Sequence, residues 1–205
     1  MFPLRSLLAI GISVALPFAT VSANELYSVL NTSAPTEELA VNFEHGGEEG
    51  GWSWYRNDPS RRRDIAQSFK APSSGTFDKV TFKVRRLGGG VITEQPYRLR
   101  VLEADSVTIS PDEAHEVASY DATITIDPIS DSYMTFNLPK PVEMQAGSYY
   151  LVVLSWENSV HSNFIEFAVQ SDYSLGAMWQ NRSNEAPNFT RLADSRRPGL
   201  IFYIH

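Results

Sequence analysis

The chain has no cysteine. Disulfides and thiolate metal sites are therefore excluded together. A domain exported in this form holds together by its packed core, which suits a bacterial periplasmic or secreted protein better than a small, disulfide-dense animal extracellular domain. Histidine is scarce as well: His45, His115, His161 and His205 stand far apart, with no i, i+2 or i, i+4 pair to seat zinc. There is no Gly-x-Ser-x-Gly elbow, His-Glu-x-x-His pair, P-loop or dinucleotide fingerprint. A Ser-His-Asp triad would have to be assembled in space from scattered residues. Beyond the first 23 residues no window carries a helical period, and the longest apolar run, Tyr149 to Trp156, is far below the about 20 residues a membrane helix needs. Lysine is sparse, with 4 against 13 arginines, and the net charge is −7. That acidity argues against nucleic acid and anionic membranes as partners.

What is present begins with an export signal. Met1 to Arg5 supplies one positive charge, Leu7 to Leu16 is mostly apolar, Pro17 interrupts it, and Val21-Ser22-Ala23 offers small residues for cleavage. This pattern predicts a signal peptide over residues 1–23, a secreted or periplasmic location, and no membrane span after its removal. Residues 24–62 read as an N-terminal arm of the same domain. The arm carries an acidic Gly-rich loop, a Trp segment and one short strand near Leu39 to Phe43. Residues 63–205 read as the core.

In that core Val80, Phe82 and Val84 alternate with Thr81, Lys83 and Arg85. Tyr97, Leu99 and Val101 alternate with Arg98 and Arg100, and similar patterns cover Tyr120 to Ile126 and Met134 to Leu138. This period of two marks half-buried strands. Pro139 and Pro141 are expected to close one of them. Tyr149 to Leu154 lacks polar alternation, which predicts a central strand covered on both faces. Gln170 to Pro198 reads as loop. The fold class expected is all-β, an antiparallel β-sandwich or jelly roll of about eight strands.

Three segments carry a family resemblance: DIAQSFKAPSSGTFDKVTFKV from Asp64, YRLRVLEAD from Tyr97, and MTFNLPKPVEMQAGSYYLVVLSW from Met134. The order of an AQSF strand, a strand pair, an AGxYYLVL-type strand and a short aromatic end strand resembles a family of secreted bacterial β-sandwich domains. Many of its members have no assigned activity, and they are often found beside carbohydrate-active enzymes or surface anchors. The resemblance spans roughly residues 63–205 and implies a fold and an extracellular address, with no catalytic set to carry over.

The sharpest recognition signal is Trp52-Ser53-Trp54-Tyr55-Arg56-Asn57-Asp58. Trp52 and Trp54 face one side of an extended backbone and Tyr55 the other. Two indoles side by side can form a platform for a sugar ring, with Arg56 and Asn57 as hydrogen-bonding partners. Trp179 and Gln180 in the late loop complete the candidate ligand-binding set. The competing reading is core packing, since each aromatic buries about 150–250 Å². Arg61-Arg62-Arg63 reads either as a clamp for sulfate or uronate groups, or as a solvated turn neutralised by Asp58 and Asp64. Glu44, Glu48, Glu49, Asp58 and Asp64 are the carboxylates from which a glycan hydrolase or lyase would draw its pair. They would also serve calcium, although the spaced pattern of a calcium loop is missing. The expectation is a non-catalytic module for an extracellular polysaccharide. It has no catalytic residue, no metal site and no cofactor, structural calcium being the one alternative. A protein-interaction domain of the cell envelope is the competing role.

Overall fold

The computed structural model describes residues 25–44, 48, 50–58, 61–88, 91–126, 130–157, 163–170, 176–182, 188–192 and 199–205, with backbone alone at 56–58, 61, 130–131 and 163. The expected signal peptide lies outside these residues.

Among them every regular element is a strand, and every pairing is antiparallel. The strands are β1 (Tyr27–Asn31), β2 (Val41–Phe43), β3 (Gly50–Asp58), β4 (Arg61–Lys70), β5 (Gly75–Gly88), β6 (Ile92–Ala104), β7 (His115–Ile126), β8 (Ser130–Met144), β9 (Tyr149–Trp156), β10 (Asn163–Gln170), β11 (Met178–Asn181), β12 (Thr190–Arg191), β13 (Gly199–Leu200) and β14 (Phe202–Ile204). The fourteen strands exceed the about eight expected, chiefly for three reasons. The arm contributes β1, β2 and β3 instead of one short strand. The stretch read as loop holds β11 and β12. The short C-terminal segment splits into β13 and β14.

The main path runs β1-β8-β5-β10-β3-β4-β9-β6-β7. The sheet folds over one large core that draws Phe82, Phe136 and Phe167 from the first strands of that path and Tyr97, Val152 and Trp156 from the last. Burial of apolar surface at roughly 25 cal/mol per Å² is what drives this closure. Pro139 and Pro141 do not end β8. The β5–β8 register jumps from Phe77↔Val142 to Lys79↔Asn137, so the prolines fall in an irregularity where no ladder N–H is required.

β9 lies between β4 and β6. Its inward residues Tyr150, Val152, Leu154 and Trp156 join the main core. Its outward Leu151 and Val153 are covered by Ala177, Trp179 and Phe189 in a second core. The missing alternation of this strand and the burial of Trp179 are therefore one fact. The AQSF strand fastens this cover down. Gln67 donates to the Ala177 carbonyl and accepts from the Leu200 N–H, and the Ala177 N–H donates to Ser68 Oγ.

The seam between the two halves of the sheet positions the site described next. β3 and β4 pair only at their adjoining ends, through Tyr55↔Arg63, Arg56↔Arg62 and Asp58↔Arg61. They then diverge: β3 continues along β10, and β11 takes over the vacated edge of β4, pairing Asn181↔Asp64 and Gln180↔Ile65.

Candidate functional site

The Trp segment is a regular strand, so the alternation of β3 decides what each aromatic does. Trp54 points inward and is wholly buried. Its indole stacks on Trp156 with ring centroids 3.7 Å apart and planes 8° from parallel, and it meets Tyr97 edge-on at 5.9 Å. A sugar ring has no face of Trp54 to stack on, and its place in the proposed platform falls to this packing. Trp179 is likewise buried in the second core, so its indole is a cover over β9 and no platform either. Trp52 and Tyr55 remain half-buried at the seam. Arg56 and Asn57 have side chains outside the described residues.

The side chain that organises the seam is Arg63. Its guanidinium carbon lies 4.6 Å from the centroid of Trp52 and 4.9 Å from that of Tyr55, and its Nη1 donates to the Ser53 carbonyl at 3.3 Å. Ser53 lies on the stretch of β3 that has left β4, so the arginine fills the gap where the strands part. A cation within about 6 Å of an aromatic face gains about 0.5–2 kcal/mol. Burial, with Arg182 close by, pushes the Arg63 guanidinium below its ordinary value.

Arg182 arrives from the other side. Asn181 is paired with Asp64 at the end of β11, and the next residue, Arg182, comes near enough to Arg63 for the two charges to act on each other. Gln180, a predicted ligand-binding residue, is mostly buried and accepts from Arg182 Nε at 3.0 Å, which orients that second guanidinium. Like charges that approach in this way repel, and Arg182 adds to burial in lowering the Arg63 guanidinium. Among the described residues no carboxylate forms an ion pair with Arg63 or Arg182.

Within the Arg61-Arg62-Arg63 cluster the expected neutralisation by Asp64 falls on Arg62. Asp64 is wholly buried, accepts from Arg62 Nε, and receives the Trp156 N–H at 3.1 Å. Burial raises its carboxyl above the usual carboxylate range, with Arg62 and the Trp156 N–H opposing. The other proposed carboxylates are also committed. Glu44 pairs with Lys83 at 2.7 Å and accepts from the Tyr203 hydroxyl. Burial pushes Glu44 up, and those donors more than offset it, leaving it below its ordinary value. Glu48 pairs with Arg85 at 2.7 Å. The side chains of Glu49 and Asp58 lie outside the described residues. Among the described residues no three His, Asp or Glu side chains converge to hold a metal ion.

The seam thus gathers Trp52, Tyr55 and Gln180 from the predicted set and adds Arg63 and Arg182. Arg182 has no local signal: only the distant pairing of β11 with β4 brings it to the seam.

No protein-family model matches the chain, and no curated protein matches it. Among solved structures the chain is similar to the cysteine protease and lectin-like domains of Cwp84, a surface layer associated protein of Clostridium difficile. The TM-score is 0.42 and the identity 11%, over 78% of this chain and 36% of that one. The chain spans 36% of that structure, and so distant a likeness assigns neither a fold nor a function.

Proposed function

We propose that this chain is an exported, non-catalytic binding module of sandwich-like β architecture, and that it recognises an acidic extracellular polysaccharide at the β3–β4–β11 seam. The observation that carries the reading is the pair Arg63 and Arg182. Arg63 lies against Tyr55 and Trp52, Arg182 comes close to it from β11, and neither has an ion-paired carboxylate among the described residues, in a chain of net charge −7. Juxtaposed guanidiniums that repel each other are relieved by an anion lying between them. Arginine suits that role because its planar fork binds carboxylate or sulfate through two hydrogen bonds. Tyr55 supplies an aromatic surface next to the charge, the combination a uronate or sulfated sugar presents in complement. No reaction is assigned to the site.

Affinity electrophoresis tests this directly. The protein should be retarded in gels containing sulfated or uronate polysaccharide and should run unretarded through neutral polysaccharide. Replacing both arginines, Arg63→Gln with Arg182→Gln, should abolish the retardation while circular dichroism stays that of a folded β protein. Equal retardation of the double variant, or retardation by neutral polysaccharide alone, would remove the seam from consideration.

A further inference from the structure

On the other half of the sheet a cavity of about 300 Å³ opens between β1, β8, the start of β5 and the segment 33–37, with Tyr27, Asn31, Glu37, Lys79, Asn137 and His205 on its walls. Its size is at the small end of ligand sites.

The walls are tied together by hydrogen bonds. His205 has a side chain only 2% exposed, and its Nε2 lies 2.8 Å from Thr81 Oγ1, which in turn lies 2.8 Å from Thr135 Oγ1. Asn31 Nδ2 donates to the same Thr135 hydroxyl. Thr81, His205 and Glu37 form a hydroxyl–imidazole–carboxylate chain, yet Thr81 is wholly buried in the middle of β5 and no substrate can approach it. The chain therefore fixes the imidazole instead of activating a nucleophile. Its other nitrogen, Nδ1, is buried and faces Glu37 Oε2 at 3.5 Å.

The charges here cancel. Lys79 Nζ donates to Glu37 Oε2 at 2.5 Å, and that bond keeps the Glu37 carboxyl below its ordinary value against the effect of burial. Burial holds His205 towards its neutral form. A cavity without net charge gives little hold on an ion. It offers instead amide and ammonium donors, amide and carboxylate acceptors, and the partly exposed ring of Tyr27 at its edge. That mixture matches a ligand with hydroxyls around its rim and an apolar ring face.

We infer that this cavity is a second carbohydrate site, taking one neutral sugar ring, with Tyr27 against the ring face, Asn137 and Glu37 bonding its hydroxyls, and His205 in the wall beside Glu37. It stands apart from the arginine seam and does not depend on it.

The test is titration of the full chain with the methyl glycosides of glucose, galactose and mannose, followed by NMR of the His205 and Tyr27 rings. At least one glycoside should shift both rings saturably. Tyr27→Ala and Asn137→Ala, both away from the main core, should each weaken that binding about tenfold, the loss of one good contact. The Arg63→Gln, Arg182→Gln double variant should bind the glycoside unchanged, which separates this site from the seam. The inference fails if no neutral glycoside moves the His205 ring, if Tyr27→Ala and Asn137→Ala bind as well as the parent, or if sodium sulfate moves His205 in place of a sugar.

Discussion

Trp52 and Trp54 leave the same strand on the same side, two residues apart, and end in different surroundings. Trp54 is enclosed by Trp156, Tyr97 and Phe167. Trp52 packs on the margin of the same core and turns a face to Arg63. The difference comes from the partner strand. Along Ser53 and Trp54, β3 has already parted from β4, and the core closes over the inner residue while an arginine enters the gap at the outer one. A pair of tryptophans at spacing two thus reports which side of a strand faces in. Whether the sheet is continuous there decides what covers them.

Truncation should break this comparison open most widely. Trp54→Ala removes a fully enclosed ring and is expected to cost about 3–5 kcal/mol. Trp52→Ala removes a half-buried one, and about 1–2 kcal/mol is expected from the smaller area returned to water. Urea denaturation of the two variants measures both. Equal losses would mean that the seam is as much core as the stack. A loss at Trp54 no greater than at Trp52 would contradict the enclosed stack.

Asp64 sharpens the same contrast from the β4 side, because it ties the end of β9 to the seam through the Trp156 N–H. Asp64→Ala takes away that acceptor and leaves Arg62 without its partner, with about 1–3 kcal/mol expected. Asp64→Asn keeps an acceptor oxygen and should cost less. The charge state gives a second readout. Burial raises this carboxyl in the folded chain above its unfolded value, so the folded state binds the proton more readily. Its contribution to stability is therefore greatest below the unfolded value and declines as pH rises through the folded one. The parent should show that decline in its denaturation midpoint across the acid range, and Asp64→Asn should lack it. A parent contribution that grows with pH in that window would reverse the assignment and make the Arg62 pair the dominant influence.

The sequence shows the strands far better than it shows the seam. Alternation at Val80, Phe82 and Val84 and at Tyr97, Leu99 and Val101 marks inward faces that the core confirms. The unbroken run after Ala146-Gly147 correctly predicts a strand buried on both sides. Those signals are local, since each residue's neighbours at i±2 share its environment. Pro139 and Pro141 mislead because a break in the ladder absorbs them without ending the strand. The β11 residues mislead because four residues within a polar stretch have no period to read, and only their pairing with β4 gives them a place. The candidate site divides along the same line. Trp52, Tyr55 and Gln180 are legible as residue types, whereas Arg182 reaches Arg63 from more than a hundred residues away and Trp179 is claimed by a core that no local pattern announces.

The smallest effect on stability separates the two arginines and bears most on function. Arg63 fills the gap between two rings and satisfies the Ser53 carbonyl, so Arg63→Gln should cost about 1 kcal/mol. Arg182 touches Gln180 and repels Arg63, so Arg182→Gln should be neutral or slightly stabilising. If the pair exists to hold an anion, both variants weaken retardation in sulfated or uronate gels although only one of them loosens the fold, and the parent's retardation falls as salt is added. If Arg63 is solely a plug for the parted strands, Arg182→Gln runs as the parent does in every gel. Arg182→Gln is thus the variant in which binding and folding make opposite demands, and its mobility distinguishes a recognition site from a repair of the sheet.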